Sequence, residues 1–230
     1  MSLSVRQQEY LQLLGIDVWV SRDAPATVAD SHRAPDVADT RTSVEAWAVL
    51  REQVSGCRKC QLHEGRTQTV FGAGNDTADW MIIGEAPGAE EDRQGEPFVG
   101  RAGKLLGSML QAIGLDRNQV FIANILKCRP PENRDPVAEE VASCGDYLHR
   151  QILLVRPKII LAVGRIAAQN LLKIDTPIGK MRGQRYEYAS LNIPVVVTYH
   201  PDYLLRSPRE KRKSWDDLQT AVKLYREISK

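Results

Sequence analysis

Four short apolar segments, separated by longer helical patterns, restrict the fold of this 230-residue chain more than any other feature. Buried strands are predicted at residues 80–83, 120–125, 158–163 and 193–198. Helices are predicted between and after them, at 102–113, 137–154, 165–172 and 213–228. Apolar strands that alternate with helices are typical of a parallel sheet covered on both faces. The sequence therefore predicts an α/β fold whose four-stranded parallel sheet is flanked by helices on both faces.

Polar side chains stand where three of these strands end. Glu85 follows the first strand, Asn124 lies near the end of the second, and His200 follows the fourth. Open parallel sheets bind ligands outside the carboxyl ends of their strands. We therefore expect an active site along this edge of the sheet. No Lys stands at a strand end, so we expect no amine nucleophile there.

The chain changes character near residue 42. Residues 1–56 carry five basic and eight acidic side chains, whereas residues 57–230 carry 26 and 21. Residues 21–42 hold little apolar material and no aromatic residue, which predicts a flexible linker. Before the linker a helix is predicted at 5–14, and Trp19 is either a docking motif for a protein partner or packed on the domain. We divide the chain into an N-terminal extension and linker (1–42) and a folded domain (43–230), whose first helix (43–54) is capped by Ser43.

Composition excludes several classes of protein. The formal net charge of +2 excludes a uniformly basic, histone-like DNA coat, although a local basic patch remains compatible with it. No segment has the ~18 consecutive apolar residues of a membrane helix, and the N-terminus lacks the apolar region of a secretion signal. We expect a monomer in a reducing cytoplasm.

The four cysteines form two pairs with fifteen residues inside the second pair. They are Cys57, Cys60, Cys128 and Cys144. A Cys-x-x-Cys pair places two thiolates within reach of one ion, and in a reducing compartment such cysteines more often bind metal than form disulfides. The sequence predicts a structural four-thiolate site, with four buried free cysteines as the alternative. Spacing alone does not separate zinc from an iron–sulfur cluster.

Residues 84–106 read GEAPGAEEDRQGEPFVGRAGKLL, a strand end followed by an acidic loop and a Gly-x-x-Gly helix start. The helix start near Ala102 can hold an anion such as a DNA phosphate. No Gly-Lys-Ser/Thr and no Gly-x-Gly-x-x-Gly follows the strand. A nucleotide-dependent enzyme is therefore a weak alternative.

This segment resembles the iron–sulfur, family 4 branch of the uracil-DNA glycosylase superfamily. The resemblance also rests on ANILKCRPPENR, on YHPDYLLR and on the spacing of the four cysteines, and it covers residues 57–206. It implies a [4Fe–4S] cluster held by the four cysteines. It further implies a nucleoid-associated enzyme that hydrolyses uracil from single- or double-stranded DNA and so begins base excision repair.

Each motif position then has an implied role. Such an enzyme must extrude the base and read its edge in a pocket. Phe98 would stack on the uracil, with a simple core residue as the alternative. Asn124 would pair with uracil O4 and N3–H and mispair with cytosine, with a structural amide as the alternative. The backbone around Glu85, Ala86 and Pro87 would complete the pocket.

Cleavage of the glycosidic bond develops charge on both fragments. His200 would stabilise the negative charge that grows on uracil O2. Glu85 would stabilise the sugar cation or orient water. Glu91 and Asp92 either help to order the water or are solvated loop charges, and we favour the second interpretation.

The segment after His200 is predicted as the loop that enters the duplex, with Leu204 or Leu205 wedged into the gap left by the base. Residues 206–213 carry five positive charges and one negative charge, which favours phosphate contact. The residues predicted to contact DNA are Arg101, Lys104, Tyr203, Leu204, Leu205 and Arg206.

Two departures from related branches affect the expected chemistry. Ala86 stands where other branches carry an Asp, which leaves open the group that activates water. Residues 178–186 (IGKMRGQRY) contain no His, unlike a branch that becomes covalently trapped on DNA, so we expect turnover. The rival function is a metal-stabilised module that binds DNA or a polymerase without catalysis.

Overall fold

The structure, a computed structural model, describes residues 37–188 and 191–229. The chain divides into two units between Asp39 and Thr40. The predicted helix at 5–14, Trp19 and most of the predicted linker lie outside the described residues, so those predictions and the division at residue 42 stay predictions.

The described part of the chain alternates strands with helices. The strands are β1 (Ala73–Gly74), β2 (Trp80–Gly84), β3 (Phe121–Asn124), β4 (Ile159–Val163), β5 (Tyr186–Tyr188) and β6 (Ile193–Thr198). The helices are α1 (Val37–Ser55), α2 (Leu62–Gly65), α3 (Ala89–Gln94), α4 (Arg101–Ala112), α5 (Ala138–Val155), α6 (Arg165–Leu172), α7 (Ile178–Met181), α8 (Pro201–Arg206) and α9 (Lys211–Ile228). Short 3₁₀ turns lie at Arg117–Gln119, Pro131–Asn133 and Pro208–Glu210.

Among the described residues, six strands form one sheet in the order β1-β3-β2-β4-β6-β5. The inner strands β3, β2, β4 and β6 are parallel, as predicted. The prediction of only four strands is wrong, because β1 and β5 add antiparallel edges. These edges are two and three residues long and are not buried, so they lack the apolar run that identified the inner strands.

Successive side chains of the inner strands enter two separate core clusters. Met81 and Ile83 of β2 pack in the first cluster, with apolar residues of α1, α5 and α6. Trp80 and Ile82 pack in the second, with apolar residues of α4, α8 and α9. This alternation follows from the two-residue period of a strand. Both faces of the sheet are therefore covered by helices, as predicted.

Most predicted helix and strand bounds differ from the observed ones by one or two residues, and two predictions differ by more. Helix α1 begins at Val37, so Ser43 lies within the helix and is not its cap. Residues 37–43 contain neither Pro nor Gly, and nothing in them stops a helix that is anchored by the buried Trp47 and Leu50. The segment after His200 is the helix α8, not a loop, because Pro201 occupies the first helical position.

None of the helices in the described ranges 37–188 and 191–229 combines the length and the apolar character needed to span a bilayer.

Candidate active site

The carboxyl ends of the four parallel strands lie along one rim of the sheet. Gly84 of β2 pairs in register with Asn124 of β3, and β4 and β6 end level with each other. Glu85 follows β2 directly, and His200 follows β6 after one intervening residue. The rim therefore brings together residues that are up to 116 positions apart in the chain.

Gly84 leaves a narrow space between two of the predicted site residues. A Cβ atom at this position would lie 2.5 Å from Asn124 Oδ1 and 2.5 Å from Phe98 Cζ. Real Cβ atoms do not approach other atoms so closely, so only glycine fits here. The Phe98 ring and the Asn124 amide therefore border the same small space beside the backbone of β2.

Phe98 is held in an unusual backbone conformation. Its φ of 53° is left-handed, which costs about 1 kcal/mol or more for a residue other than glycine. Arg117 stabilises this conformation by donating to the Phe98 carbonyl at 3.0 Å and to the Pro97 carbonyl. The ring packs in the second core cluster, and its centroid is 5.7 Å from that of the His200 ring. Phe98 is thus both a core residue and a wall of the rim site.

The side-chain oxygen of Asn124 is a buried acceptor that receives no hydrogen bond from the described residues. The residue is 2% exposed, and its Oδ1 has no hydrogen-bond partner among the described residues. An unpaired buried oxygen costs about 1–3 kcal/mol, so buried amides are normally satisfied. An N–H group of a bound ligand would satisfy this oxygen. The alternative interpretation, a satisfied structural amide, does not agree with this geometry.

Glu85 is half-buried at the rim and has a perturbed pKa. Burial raises the pKa of Glu85 to about 7, the charge of Asp135 adds to the increase, and the charge of Arg165 opposes it. Arg165 and Asp135 form an ion pair of 2.7 Å between Nη2 and Oδ2. Near neutral pH the Glu85 carboxyl therefore exists in both protonation states, as a group that handles protons requires.

The hydrogen bonds of His200 determine which ring nitrogen carries the proton. His200 Nδ1 accepts from the backbone N–H of Asp202 at 3.2 Å and so caps α8. Burial lowers the pKa of His200 below its ordinary value. The ring is therefore neutral at neutral pH, with its proton on Nε2. Gly164, at φ 100°, allows this ring to approach the end of β4, because a Cβ there would lie 3.1 Å from His200 Cβ.

The loop after β2 is tied to the end of β3. The N–H groups of Ile125 and Leu126 donate to the carbonyls of the two residues before Ala86, at 2.9 and 3.0 Å. Pro87 is buried and Ala86 is half-buried. These bonds hold the predicted pocket backbone beside Asn124.

Glu91 and Asp92 are not solvated loop charges, contrary to expectation. Glu91 Oε1 accepts from the N–H groups of Val99 and Gly100, both at 3.0 Å. Asp92 is 3% exposed and accepts from the N–H of Thr67 at 3.0 Å. Both carboxylates satisfy backbone donors, and Glu91 does so immediately after Phe98 and at the start of α4.

One cavity is lined by all four cysteines, Cys57, Cys60, Cys128 and Cys144. None of them forms a disulfide. Arg66 Nη1 donates to Cys128 Sγ at 3.0 Å, and the Lys127 N–H donates to Cys144 Sγ at 3.3 Å. Such N–H donors stabilise thiolates and tune iron–sulfur centres. Four free thiols in one cavity fit a four-thiolate group.

In the parts of the chain that the structure describes, no group of three or more His, Cys, Asp or Glu side chains is arranged to hold a single metal ion.

The residues predicted to contact DNA lie at the start of α4 and on α8, which pack against each other. Arg101 and Lys104 are exposed on the first turn of α4, and Tyr203 and Arg206 are exposed on α8. Leu204 is 1% exposed and packs in the second core cluster. The prediction that Leu204 can wedge into DNA is therefore wrong, and only Leu205, which is half-buried, retains that role.

The basic segment after α8 is partly neutralised. Arg206 pairs with Asp202, and Lys213 pairs with Glu210 at 2.8 Å. The remaining basic residues of the segment, Arg209, Lys211 and Arg212, are exposed. The positive patch beside α8 is therefore smaller than its sequence suggests.

Arg117 and Arg66 are functional candidates that the sequence did not reveal. Arg117 lies 19 residues from Phe98, and Arg66 lies 62 residues from Cys128. Neither belongs to a recognisable motif. The approach of each to its partner depends on the packing of loops, for which a single sequence carries no signal.

Comparison with known proteins agrees with this geometry. The family model described as "Uracil DNA glycosylase superfamily" matches residues 71–219. A "Type-4 uracil-DNA glycosylase" of Archaeoglobus fulgidus is 48% identical over 177 residues, which cover 74% of this chain and 88% of the relative. Proteins of the same name from Sulfurisphaera tokodaii and Pyrobaculum aerophilum are 44% and 42% identical, over 80% and 89% of their lengths.

The family match spans the whole sheet and the first half of α9, and with them Glu85, Phe98, Asn124 and His200. The resemblance inferred from the sequence motifs is confirmed at this level. The chain belongs to the uracil DNA glycosylase superfamily.

Proposed function

We propose that this protein is a type-4 uracil-DNA glycosylase, which hydrolyses the bond between uracil and deoxyribose and leaves an abasic site. The observation that carries the proposal is the buried, unpartnered Asn124 Oδ1, which shares one rim with Phe98, His200 and Glu85. A binding module without catalysis has no need for this combination. The reaction would begin base excision repair.

Asn124 would select the base. Uracil presents an N–H donor at N3 and a carbonyl acceptor at O4, which match the oxygen and the NH₂ group of a carboxamide. Cytosine presents an acceptor at N3, which would leave Asn124 Oδ1 buried and unpaired. Sites that read a substrate in this way reject the mismatched analogue strongly.

Phe98 would supply the surface on which the extruded base stacks. Removal of a base from the duplex costs a few kcal/mol of stacking and pairing, and an aromatic wall recovers part of it. The backbone of Glu85, Ala86 and Pro87 would close the other side of the pocket.

His200 would stabilise the departing base. As the bond breaks, negative charge collects on uracil, including O2. A neutral imidazole with its proton on Nε2 can donate a hydrogen bond to that oxygen. Because the Asp202 N–H occupies Nδ1, the ring needs no rearrangement during the reaction.

Glu85 would act on the sugar side of the bond. In its ionised form the carboxylate can stabilise the cation that develops on the sugar, or orient the attacking water. Ala86 offers no carboxylate next to it. We assign the water-orienting role to Glu85 on this ground.

The lysine that follows a rim strand most closely is not free to cleave the abasic product. Lys127 follows β3 by three residues, closer to a strand end than expected, but it is 1% exposed. Its Nζ donates to the Asn124 carbonyl and to Gln151. The protein would therefore be monofunctional.

The four cysteines would hold a [4Fe–4S] cluster with a structural role, since it would join the segment before the sheet to the loop after β3 and to α5. Exposed Arg101, Lys104 and Arg206 would contact DNA phosphates, with Tyr203 and Leu205 near the displaced base. We further propose a monomer, in the cytoplasm and at the nucleoid, that acts on single- or double-stranded DNA.

The proposal is tested with a labelled oligonucleotide that contains one uracil. Incubation with the protein followed by alkali should break the strand at that position, and an oligonucleotide with cytosine there should stay intact. Asn124→Ala provides the matched control, in which excision should be much slower but still measurable. A protein that carries its full cluster, judged by broad visible absorption and iron content, and leaves the uracil strand intact would exclude the glycosylase.

A further inference from the structure

Lys127 is a buried amine that lies beside both the proposed base-reading residue and the four-cysteine cavity. This side chain is 1% exposed and lies between Asn124 and two of the cysteines. Its ammonium group donates to the Asn124 carbonyl at 2.9 Å and to Gln151 Oε1 at 2.6 Å. Gln151 in turn donates to the Phe71 carbonyl at 2.8 Å. A single buried amine thus fixes the backbone of the proposed base-reading residue.

The backbone of Lys127 contacts the four-cysteine site. The Lys127 N–H donates to Cys144 Sγ at 3.3 Å, and the next residue in the chain is Cys128. Cys144 and Gln151 are seven residues apart on α5 and therefore lie on the same face of that helix. Helix α5 consequently contacts this residue twice, through a thiol and through an amide.

The charge of Lys127 has no carboxylate partner. None of the ion pairs among the described residues includes it, whereas Lys127 lines the same cavity as all four cysteines. A fully buried ammonium needs a compensating negative charge. Four thiolates around a cluster would supply that charge within the same cavity.

We infer that Lys127 is a positioning residue that couples the four-cysteine site to Asn124. It serves as the counter-charge of the thiolates and simultaneously holds the Asn124 backbone in the position that aims its amide at the base. The positioning of Asn124 toward the base rests on the proposed function. The role of Lys127 as counter-charge of the thiolates does not depend on that function.

The test compares the purified full chain with its Lys127→Met variant, which keeps the aliphatic stem and loses the charge and the donors. Lys158→Met is the matched control, because Lys158 is half-exposed, pairs with Asp79 and does not line the four-cysteine cavity. The first readout is iron release to a chelator, followed by the loss of visible absorption. We expect release about 10-fold faster in Lys127→Met and unchanged in Lys158→Met.

The second readout is a double-mutant cycle on uracil excision. Lys127→Met should lower kcat/KM about 10-fold in the wild-type background and have almost no effect when Asn124 is already Ala, because Lys127 acts through that residue. A general loss of stability would instead lower activity by the same factor in both backgrounds. Additive effects, or unchanged iron release, would overturn the inference.

A wild-type protein that removes no uracil would defeat the proposed function, whereas an active wild type with an equally active Lys127→Met variant would defeat this inference alone. If Lys127→Met does not fold, Gln151→Leu decides by the same two readouts. That variant keeps the lysine and every thiol and removes one acceptor of the ammonium. We expect smaller shifts in the same directions, and wild-type behaviour would contradict the coupling.

Discussion

At the scale of single residues, the site depends on polar atoms whose partners are set by the backbone around them. Asn124 leaves one oxygen unpaired, while the backbone amide of Asp202 occupies one nitrogen of His200. The Asn124 oxygen is thereby left to accept a hydrogen bond, and the other ring nitrogen of His200 is left to donate one. Selectivity for the base would follow from these capacities.

Asn124→Asp should weaken the discrimination between uracil and cytosine. An ionised carboxylate has two acceptors and no donor, so it cannot give a hydrogen bond to uracil O4 but can accept from the amino group of cytosine. We expect the ratio of the two kcat/KM values to fall by at least about 10-fold. The measurement is excision from paired oligonucleotides that differ only at that base.

Asn75→Asp is the control for that change, because Asn75 uses its side-chain oxygen as an acceptor in an exposed turn, and an Asp retains this role. Its discrimination should equal that of the wild type. Unchanged discrimination in Asn124→Asp would remove Asn124 from base selection.

Activity should rise with pH through about 7, the pKa to which burial raises Glu85. Activity rises with pH because the ionised carboxylate is the active form. That form is lost as the pH falls through the pKa of Glu85. Burial lowers the pKa of His200 below its ordinary value, which moves its transition to the acid side of that of Glu85. We expect kcat/KM to increase about 10-fold between about pH 6 and about pH 8.

Glu85→Gln should lower kcat and flatten this profile. Glu90→Gln, a change in an exposed pair with Arg93, should preserve both the rate and the profile. A wild-type rate that is independent of pH would contradict the role of Glu85.

Gly84→Ala should block the pocket. The added Cβ would lie 2.5 Å from both Asn124 Oδ1 and Phe98 Cζ, so one of these groups must move. We expect kcat/KM to fall about 100-fold and the free energy of unfolding to fall by about 1–3 kcal/mol. Gly107→Ala, where an added Cβ meets no atom within 4 Å, should instead stabilise α4 and leave activity unchanged. Full activity of Gly84→Ala would show that the base binds elsewhere.

At the scale of elements, the turn between α3 and α4 holds Phe98, the proposed stacking residue. Phe98 occupies a left-handed conformation, and its neighbours on both sides of the turn are fixed by charged groups. Arg117 binds the carbonyls before and at Phe98, and Glu91 binds the amides after it. The turn therefore keeps a strained backbone because four hydrogen-bonding contacts oppose its relaxation.

Glu91→Ala should release this turn. Two hydrogen bonds to a charged acceptor are lost, which we expect to lower the free energy of unfolding by about 2 kcal/mol. Thermal unfolding followed by circular dichroism should show a midpoint about 4–8 °C lower, and excision should slow because Phe98 loses its support. Glu90→Ala removes an exposed ion pair on the same helix and should change the midpoint by much less. Equal midpoints for the two variants would contradict the role of Glu91.

At the scale of the whole molecule, the first described helix belongs, from Thr40 onward, to the folded unit that carries the site. Trp47, Leu50 and Val54 of α1 are buried in the first core cluster, beside residues of β2 and β3. The cysteine pair of residues 57 and 60 follows α1 closely in the chain. Loss of α1 would expose that cluster and free one half of the four-cysteine site.

A chain that begins at Val37 should therefore retain uracil excision, since the sheet, both core clusters and all proposed site residues lie beyond it. A chain that begins at Cys57 should fail to fold, because burial of three large apolar side chains is worth about 1.5–3 kcal/mol each and domains are only marginally stable. Circular dichroism and excision assays distinguish these outcomes. A fully active shorter chain would show that α1 is dispensable.

The sequence by itself determined the parallel core of the sheet, its flanking helices and the identity of the rim residues. These features depend on local periodicity and on residue types at strand ends, both of which a single sequence records. Helix α6 (Arg165–Leu172) and strand β6 (Ile193–Thr198) were predicted with their observed bounds. The edge strands were missed because they are too short and too exposed to form an apolar pattern.

Only the tertiary structure decided which polar groups were left without partners and which were satisfied. It placed Glu91 and Asp92 on backbone amides, buried Leu204, and set Lys127 between the cysteines and Asn124. Each of these outcomes depends on contacts between residues far apart in the chain, where neither spacing nor composition carries information. A buried atom acquires or lacks a partner according to how the elements pack, and on that packing the proposed chemistry of this site depends.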